Sequence, residues 1–534
     1  MASYSPSLDL TRAFEADKLL EVRTSRMKNM PGLKSQSGID KKPCSGPVKI
    51  SKLGLEGDEH DLTFHGGPDK AVLGYCSSHY PDWRQSYPER TERFVPGGFG
   101  ENFVTAHMNE RNVCIGDVIS VGSHVLLQVS LPRQPCFKLN HRFCLKNFAP
   151  LTHQTSRTGW YYRVLGEGTV SAGDEIRLVE RKWPDWTVER VQEYLHRDRE
   201  NLDMNRKLAE LEALGEESRG QFRKRVAAAM KKSKPVEQDA WKDWRIISRK
   251  METRRVVSLV LEAVAPEEDA EKRLPGAHAR IKLPNGLIRS YSVVAGGGAI
   301  FTLANKLELG IALDDKSRGG SRYLHESAKV GDMLQVGRIT TDVATASAAS
   351  HHCFVAGGIG LTAFLAMIKG MHSINLEYTL HYAVRSAEDI PFRDRLEPLK
   401  DNVVLYDKSK GQRMHISQIV KNLAWNSQLY VCGPHRMMEA ARDAVEACGI
   451  PPNEVHYEAF AADVSGDAFE AKVANGTGKV VKVGEDESLL EALRREKLDV
   501  ASSCESEGSQ VSMAPKWEHT FASCLPREKA SCLP

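Results

Sequence analysis

The stretch HHCFVAGGIGLTAFLAMIKGM, residues 351–371, decides the fold of the C-terminal half of the chain. Its apolar run ends in VAGGIG (355–360), and an apolar segment of helical spacing follows directly. A strand, a glycine turn and a helix in this order open a βαβ unit, in which glycines let the backbone approach a pyrophosphate and the helix start faces it. Because a glycine-rich turn also serves plain packing, the run needs support from elsewhere in the chain.

The strand and helix alternation continues downstream of this run. Strand-like segments are LEYTLHYAVRS (376–386), NVVLYD (402–407) and QLYVCGP (428–434), and helix-like segments are MHISQIVKNL (414–423) and HRMMEAARDAVEACG (435–449). Such an alternation is typical of a parallel sheet. It predicts a parallel α/β nucleotide-binding domain over residues 343–460.

Residues 251–342 have strand character instead. The segments RRVVSLVLEAV (254–264), IRSYSVV (288–294), KLELGIAL (306–313) and DMLQVG (332–337) are separated by turn residues such as Asn285-Gly286,. They predict a β-barrel. Two further motifs stand in this region, RSYS (289–292) and SRGGSRYLH (317–325).

These two motifs, followed by VAGGIG and VCGP, resemble the ferredoxin–NADP reductase superfamily in its phthalate dioxygenase reductase branch, over about residues 250–460. The resemblance implies a flavin, with FMN favoured and FAD left open, and NAD(P)H, with the choice between NADH and NADPH left open. It implies that the flavin is held by Arg289, Tyr291, Ser292, Gly319, Gly320, Ser321 and Arg322. It implies that the dinucleotide is cradled by Gly357, Gly358, Gly360 and Thr362, and brought against the flavin by Cys432, Gly433 and Pro434.

The N-terminal half is rich in glycine and short strand-like runs, among them VISVG (118–122), VLLQVS (125–130) and EIRLVE (175–180). They predict a second β-barrel over residues 45–182, after an extension at 1–44. A helical segment at 183–232 and a charged linker at 233–250 follow. Cys136 stands just after a strand, between Arg133 and Lys138. Neighbouring cations favour a thiolate, which is a soft ligand for a transition metal, but a buried barrel cysteine fits the same pattern.

Four ordered motifs, FHGGPDKAVLGY (64–75), GGFGENF (97–103), CIGDVISVG (114–122) and LPRQPCFKL (131–139), resemble a MOSC domain. With the helices after it, the resemblance is to the bacterial type that reduces 6-hydroxylaminopurine and other N-hydroxylated compounds. It implies that Cys136 is the protein ligand to the molybdenum of a molybdenum cofactor. It implies that His65, Lys70, Asn102 and Arg133 line the pterin or its phosphate. Pyridoxal phosphate binding, often assigned to such domains, is not expected, because no Schiff-base lysine is identifiable.

The tail, residues 465–534, resembles the start of a plant-type [2Fe–2S] ferredoxin domain, a partial β-grasp fold. Such a cluster requires C-x4-C-x2-C and a fourth cysteine. Cys504 occupies the first position, but Ser509 and Ser512 occupy the next two. The resemblance implies [2Fe–2S] with Cys504 as a residual ligand, whereas the residues predict a truncated or altered domain in which a normal cluster does not form.

Composition narrows the class of protein. The chain has 534 residues, 73 Lys and Arg against 70 Asp and Glu, and 41% hydrophobic residues, which is ordinary for a multidomain globular protein and argues against a dedicated nucleic-acid binder,. The sequence contains no run of about 18 apolar residues, so it predicts no membrane-spanning helix. Eleven cysteines, an odd number, favour reduced thiols and a cytoplasmic protein, with a mitochondrial location as the alternative,.

These observations predict an NAD(P)H-dependent flavin oxidoreductase that delivers electrons to a molybdenum site and reduces a small N-hydroxylated substrate. Two alternatives stay open. In one, the chain is a flavin reductase that serves an external electron acceptor. In the other, it is a non-catalytic module that binds a molybdenum cofactor or carries sulfur.

Overall fold

A computed structural model of the chain describes residues 14–30, 33, 35–61, 66–232, 241–266, 275–294, 305–314, 319–341, 348–458, 460, 468–472, 480–484, 489–496 and 498. The chain forms two compact units, the first containing residues 1–238 and the second beginning at residue 239. Within the described ranges, no helix is both long enough and apolar enough to cross a bilayer.

The first unit is built on a closed barrel of seven strands. In order around the barrel these are Ala16–Thr24, Glu175–Glu180, Val118–Val121, Val125–Pro132, Trp160–Gly166, Val72–Cys76 and Phe103–Thr105, with Lys42–Pro43 added beside the first. All neighbouring strands are antiparallel except Val72–Cys76 and Phe103–Thr105, which are parallel. Alternate apolar residues such as Val125, Leu127 and Val129 fill the interior, and closure leaves no unpaired edge,.

The barrel begins earlier than the sequence analysis placed it. Ala16–Thr24, in the predicted extension, pairs with Glu175–Glu180 on one side and Phe103–Thr105 on the other, and so closes the barrel. The strand alternates exposed and buried residues over its first half, with Leu19 fully buried, which is the pattern of a strand with one face in a core,.

Smaller elements complete the first unit. They are the strands Lys28–Asn29, Gln36–Ser37, Val48–Ser51, Gly54–Leu55 and Gly168–Val170, the helices His79–Ser86, Phe137–Phe143 and Phe148–Gln154, and the 3-10 turns Pro68–Lys70 and Pro88–Arg93. The predicted helical segment consists of Val188–Gln192, which continues as a π turn at Glu193–Arg197, then Leu202–Glu210 and Glu216–Lys232. Thr187 begins it, accepting a hydrogen bond from the Arg190 N–H at 3.1 Å,. Its buried Val191 and Phe222 belong to the same core as the barrel interior, so the helices are fixed to the barrel.

The second unit begins with six antiparallel strands. In sheet order they are Ile288–Ser292, Ala277–Lys282, Met333–Thr341, Lys242–Thr253, Val256–Ala263 and Lys306–Ala312, and the helix Gly320–Glu326 accompanies them. A bridge between Val293 and Leu309 brings the two ends of the sheet together, as in a barrel. The strand Lys242–Thr253 starts within the predicted linker and pairs with Val256–Ala263, so this barrel also begins earlier than predicted.

The predicted parallel sheet follows and is confirmed. Its strands, in sheet order, are Val403–Asp407, Tyr378–Val384, His351–Gly357, Ser427–Cys432 and Val455–Tyr457. The helices are Leu361–Ser373, Arg393–Leu396, Ile416–Lys421 and His435–Ala447, and the 3-10 turns are Gly358–Gly360, Ala387–Asp389, Glu397–Asn402, Lys408–Lys410 and Pro452–Glu454.

In the tail, the described residues form the antiparallel pair Phe469–Lys472 and Val480–Val483 and the helix Leu489–Arg495. Val481 and Val483 pack against Ala492 and Leu493. Cys504, Ser509 and Ser512 lie outside the described residues, so the expectations about an iron–sulfur cluster stay predictions.

Candidate functional sites

The parallel sheet places the predicted dinucleotide motifs at one edge. The first strand of this domain, His351–Gly357, lies at the centre of the sheet. The next strand along the chain, Tyr378–Val384, lies on one side of it, and Ser427–Cys432 lies on the other. The order in which strands are added to the sheet therefore reverses between His351–Gly357 and Ser427–Cys432. Ligands of open α/β sheets bind beyond the carboxyl ends of the strands at such a point. Ala356 is paired with Cys432, so the glycines after the first strand and Gly433-Pro434 meet there.

The glycines in this crevice are packed so closely that side chains do not fit. A Cβ on Gly360 would lie 2.3 Å from the carbonyl oxygen of Cys432, and one on Gly357 would lie 2.7 Å from the Met437 methyl. Gly358 adopts a φ of +56° with open space around its Cα, which leaves its backbone accessible,. Thr362 lies buried in the first turn of the following helix, where its hydroxyl donates to the Ile359 carbonyl at 2.8 Å.

The predicted flavin motifs come together in the preceding barrel. Arg289 and Tyr291 alternate along one strand and so share a face,. Gly319, at a φ of +99°, begins the helix Gly320–Glu326, and a Cβ on Gly320 would lie 2.9 Å from the Arg289 side chain. Burial raises the pKa of Tyr291, and the Arg289 charge opposes that rise, so the phenol is neutral,.

The remaining flavin candidates lie around this face. Ser292 is buried and donates a hydrogen bond to Glu458 at 3.3 Å. The Ser321 hydroxyl accepts from the Asp314 N–H at 3.4 Å. Arg322 lies in the same short helix. The face of Arg289 and Tyr291, next to the glycine that begins the helix Gly320–Glu326, fits a flavin ring and its phosphate,.

A buried ion pair joins this barrel to the parallel sheet domain. The Arg395 guanidinium donates to both carboxylate oxygens of Glu308 at 2.6 Å, and Ser258 donates to the same carboxylate at 2.9 Å. Glu308 is only 7% exposed. Gly310 lies against Thr362 and Phe392, so the predicted flavin and dinucleotide sites are held in one fixed frame.

Cys136 lies at the mouth of the first barrel. It directly precedes the helix Phe137–Phe143, after the strand Val125–Pro132 has ended, and it is a free, partly exposed thiol. Three residues earlier, the backbone N–H of Arg133 donates to the Gly159 carbonyl at 3.0 Å, which anchors the loop. The Arg133 guanidinium lies over the Phe99 ring, with Cζ 6.0 Å from its centroid.

The Arg133 side chain fits an anionic group. It is only 7% exposed, and among the described residues its buried Nη1 has no hydrogen-bond partner. A buried cationic donor left unpaired costs free energy unless a ligand supplies the acceptor. A phosphate or a carbonyl-rich pterin would supply one, beside a thiol suited to a soft metal.

Lys70 lies on the same side of the barrel. Its ammonium is 5.9 Å from the centroid of the Tyr161 ring and forms an ion pair with Glu217 of the helix Glu216–Lys232. Burial raises the pKa of Tyr161, with the Arg133 charge acting in the opposite direction. The sequence analysis missed Tyr161, although its position opposite Leu131 on the neighbouring strand places it on the face that leads to Arg133.

Asn102 has a different setting. Its Oδ1 accepts from the Leu73 N–H at 3.1 Å, and its Nδ2 donates to the Arg23 carbonyl at 3.1 Å and to Asp58 at 2.9 Å. Asp58 in turn pairs with the buried ammonium of Lys41, whose pKa is lowered by burial. The amide of Asn102 therefore supports a buried charge pair.

Lys138, which follows Cys136 closely in the sequence, contacts residues outside this group. The ammonium of Lys138 donates to the Gln36 carbonyl at 3.0 Å and lies 3.8 Å from Asp61. His65 lies outside the described residues. The structure thus brings together Lys70, Arg133, Tyr161 and Glu217 around the barrel end that carries Cys136.

Comparison with known proteins agrees with this architecture. Residues 61–177 match the MOSC domain family, residues 186–229 the YiiM-like, 3-alpha helix domain, and residues 354–443 the oxidoreductase NAD-binding domain. A protein of Gibberella moniliformis named "Reductase" is 35% identical over 508 residues, which cover 91% of this chain and 87% of that protein. The chain belongs to this reductase family.

Two further relatives correspond to the two halves of the chain. Protein YiiM of Escherichia coli is 41% identical over 163 residues, covering 30% of this chain and 72% of YiiM. The heme-dependent oxidative N-demethylase beta subunit of Ectopseudomonas mendocina is 32% identical over 230 residues, covering 43% of this chain and 72% of that subunit. The chain is therefore an oxidoreductase in which a MOSC domain is fused to a reductase module, and the reductase relatives imply a flavin and NAD(P)H.

Proposed function

We propose that this reductase uses NAD(P)H and a flavin to supply electrons to a molybdenum cofactor held by Cys136, where N-hydroxylated compounds are reduced to amines. The observation that carries the proposal is the buried guanidinium of Arg133, whose Nη1 has no hydrogen-bond partner among the described residues, beside a free thiol in a chain that also has a dinucleotide crevice. The overall reaction is NAD(P)H + H⁺ + R–NHOH → NAD(P)⁺ + R–NH₂ + H₂O. The hydride provides both electrons, the N–O bond breaks, and its oxygen leaves as water.

The residues of the second unit bind and orient the reductant. The close-packed glycines at 357 and 360 admit the pyrophosphate to the backbone, and Gly433-Pro434 directs the nicotinamide from the neighbouring strand end,. The pair of Glu308 and Arg395 holds the barrel against the sheet domain, so a ring on the Tyr291 face keeps a fixed position relative to the crevice,.

In this proposal, residues of the first unit bind the molybdenum cofactor. Cys136 offers a sulfur ligand, the Nη1 of Arg133 offers a donor for an anion, and Lys70 offers a second cation. When bound, a molybdenum cofactor supplies the ability to accept oxygen from an N–O bond, and a flavin supplies conversion of a hydride into single electrons.

Metal and flavin analysis tests the proposal. We expect the full chain, made in a host that synthesises molybdenum cofactor, to carry stoichiometric molybdenum and flavin, because both donor sets are present. The same chain from a host that lacks the cofactor should keep its flavin and lose the reduction of 6-hydroxylaminopurine. Flavin without molybdenum in the competent host would contradict the proposal. Iron in the stoichiometry of a [2Fe–2S] cluster would contradict the prediction made for the tail.

The likeness of the C-terminal half to an N-demethylase beta subunit favours a second candidate function. In it, the chain reduces a separate acceptor, and the MOSC domain is an accessory. Reduction of ferricyanide or cytochrome c that is indifferent to molybdenum supply, with no turnover of N-hydroxylated compounds, would support this candidate.

A further inference from the structure

Gln134 follows Arg133 in the sequence and precedes Cys136 by two residues. It belongs to neither the dinucleotide site nor the flavin site. Its side chain is half-buried, and among the described residues its buried amide nitrogen has no hydrogen-bond partner. The other end of the amide, Oε1, accepts a hydrogen bond at 3.4 Å from Nε2 of Gln221, on the helix Glu216–Lys232. If both amides are turned over, Gln134 donates to Gln221 instead of accepting from it, and the unpaired buried atom of Gln134 is its oxygen, so one end of the amide is unpaired in either assignment.

The helix that carries Gln221 is fixed to the barrel near Cys136. The Glu216 N–H donates to Asp69 at 3.2 Å, and Glu217 forms the ion pair with Lys70. Gly215, just before the helix, packs so closely on Leu131 that a Cβ would lie 2.4 Å from the leucine side chain. Gln221 therefore offers a fixed support for the Gln134 amide, and it joins the helix to the loop that carries Cys136.

From this arrangement we infer that Gln134 determines substrate specificity by reading the hydrogen-bonding edge of an N-hydroxylated nitrogen heterocycle, with Gln221 holding its amide in place. This inference rests on the proposed function. A glutamine amide presents a donor beside an acceptor, and it pairs with a ring nitrogen next to an exocyclic N–H, as in purines. The carbonyl oxygen has a second lone pair, so it accepts from a substrate while Gln221 is bound. An alkyl hydroxylamine has no such edge and gains nothing from the amide.

The test compares two substrates in the holoenzyme. In Gln134→Leu, we expect kcat/KM for 6-hydroxylaminopurine to fall about tenfold to a hundredfold, the range for losing a bidentate amide contact. We expect kcat/KM for cyclohexylhydroxylamine to stay within about twofold, since that substrate lacks the edge. Gln221→Leu should lower only the first value, and by a smaller factor. The matched control is Gln154→Leu, at an exposed glutamine outside the site, which should change neither value.

A binding measurement separates this inference from the proposed function. Adenine, the amine product of that reduction, carries the same edge, and its binding to molybdenum-free full-length protein is measured by equilibrium dialysis. Loss of affinity in Gln134→Leu by about tenfold or more supports the inference, even if the enzyme reduces no N-hydroxylated compound. An equal fall in kcat/KM for both substrates, or unchanged adenine affinity, would overturn it and leave the proposed function standing.

Discussion

Replacing Cys136 with alanine should abolish the reduction of 6-hydroxylaminopurine and leave oxidation of NAD(P)H by ferricyanide within about twofold of the wild-type rate. The thiol is the soft donor at the barrel end that carries Arg133 and Lys70, and the part of the chain that the structure describes shows no group of three or more His, Cys, Asp or Glu arranged to hold a metal ion. Loss of an outer partner of a metal ligand already costs about 10- to 100-fold, so loss of the ligand should cost more than about 100-fold. Steady-state assays with the two acceptors measure both effects.

The control for this variant is Cys144→Ala, eight residues further along the chain. Cys144 is exposed at the end of the helix Phe137–Phe143 and lies outside the group around Arg133. The Cys144→Ala enzyme should retain its molybdenum, the reduction of 6-hydroxylaminopurine and the oxidation of NAD(P)H by ferricyanide. A Cys136→Ala enzyme that reduces 6-hydroxylaminopurine at the wild-type rate would show that the thiol is not the ligand, and would favour the second candidate function.

The dinucleotide crevice could be predicted from sequence because its cause is local. VAGGIG combines an apolar strand, a glycine turn and a helix start within ten residues, and VCGP ends another strand. Parallel pairing then brings the two motifs together without further information,. The flavin residues were predicted only through the resemblance of RSYS and SRGGSRYLH to a reductase family, and the structure places Arg289 and Tyr291 at alternate positions of one strand.

The site around Cys136 was only partly predictable, because its contacts join distant parts of the chain. The prediction that Asn102 lines a cofactor stays a prediction, and its observed partners, Leu73, Arg23 and Asp58, are a set that no local pattern indicates. Lys70 meets Glu217 across 147 positions of sequence. Gln134 has a partner in Gln221, from a segment whose helical pattern says nothing about which residue faces the barrel.

The domain boundaries were missed for a related reason. The strands Ala16–Thr24 and Lys242–Thr253 contain many charged residues, so their composition favoured an extension and a linker. Both are closing or paired strands of barrels, and in Ala16–Thr24 two of the charged residues, Asp17 and Arg23, are themselves buried. A charged strand of this kind is recognisable only once its partners are known.

Substitution of Gly360 by alanine should reduce the rate at which NAD(P)H reduces the flavin by about 100-fold, the effect expected from displacing a reacting group by about 1 Å. The new Cβ would lie 2.3 Å from the Cys432 carbonyl oxygen and 3.2 Å from its sulfur. Because the close contact is with backbone of the neighbouring strand, rotation of a side chain does not relieve it, and the ends of the two strands must separate. Stopped-flow measurement of flavin bleaching under anaerobic conditions gives this rate directly.

A control variant separates backbone strain, which alanine causes at a glycine of positive φ, from the steric contact that would widen the crevice in Gly360→Ala. Gly411 adopts a φ of +75° in a turn after Val403–Asp407, where a Cβ would meet no atom within 4 Å. Gly411→Ala therefore introduces backbone strain of about 1 kcal/mol without any steric contact, and should keep the wild-type rate. The flavin content of Gly360→Ala should also stay unchanged, because the residues expected to hold the flavin lie in the preceding barrel. A wild-type rate of flavin reduction in Gly360→Ala would mean that the dinucleotide does not require this close approach of the two strands.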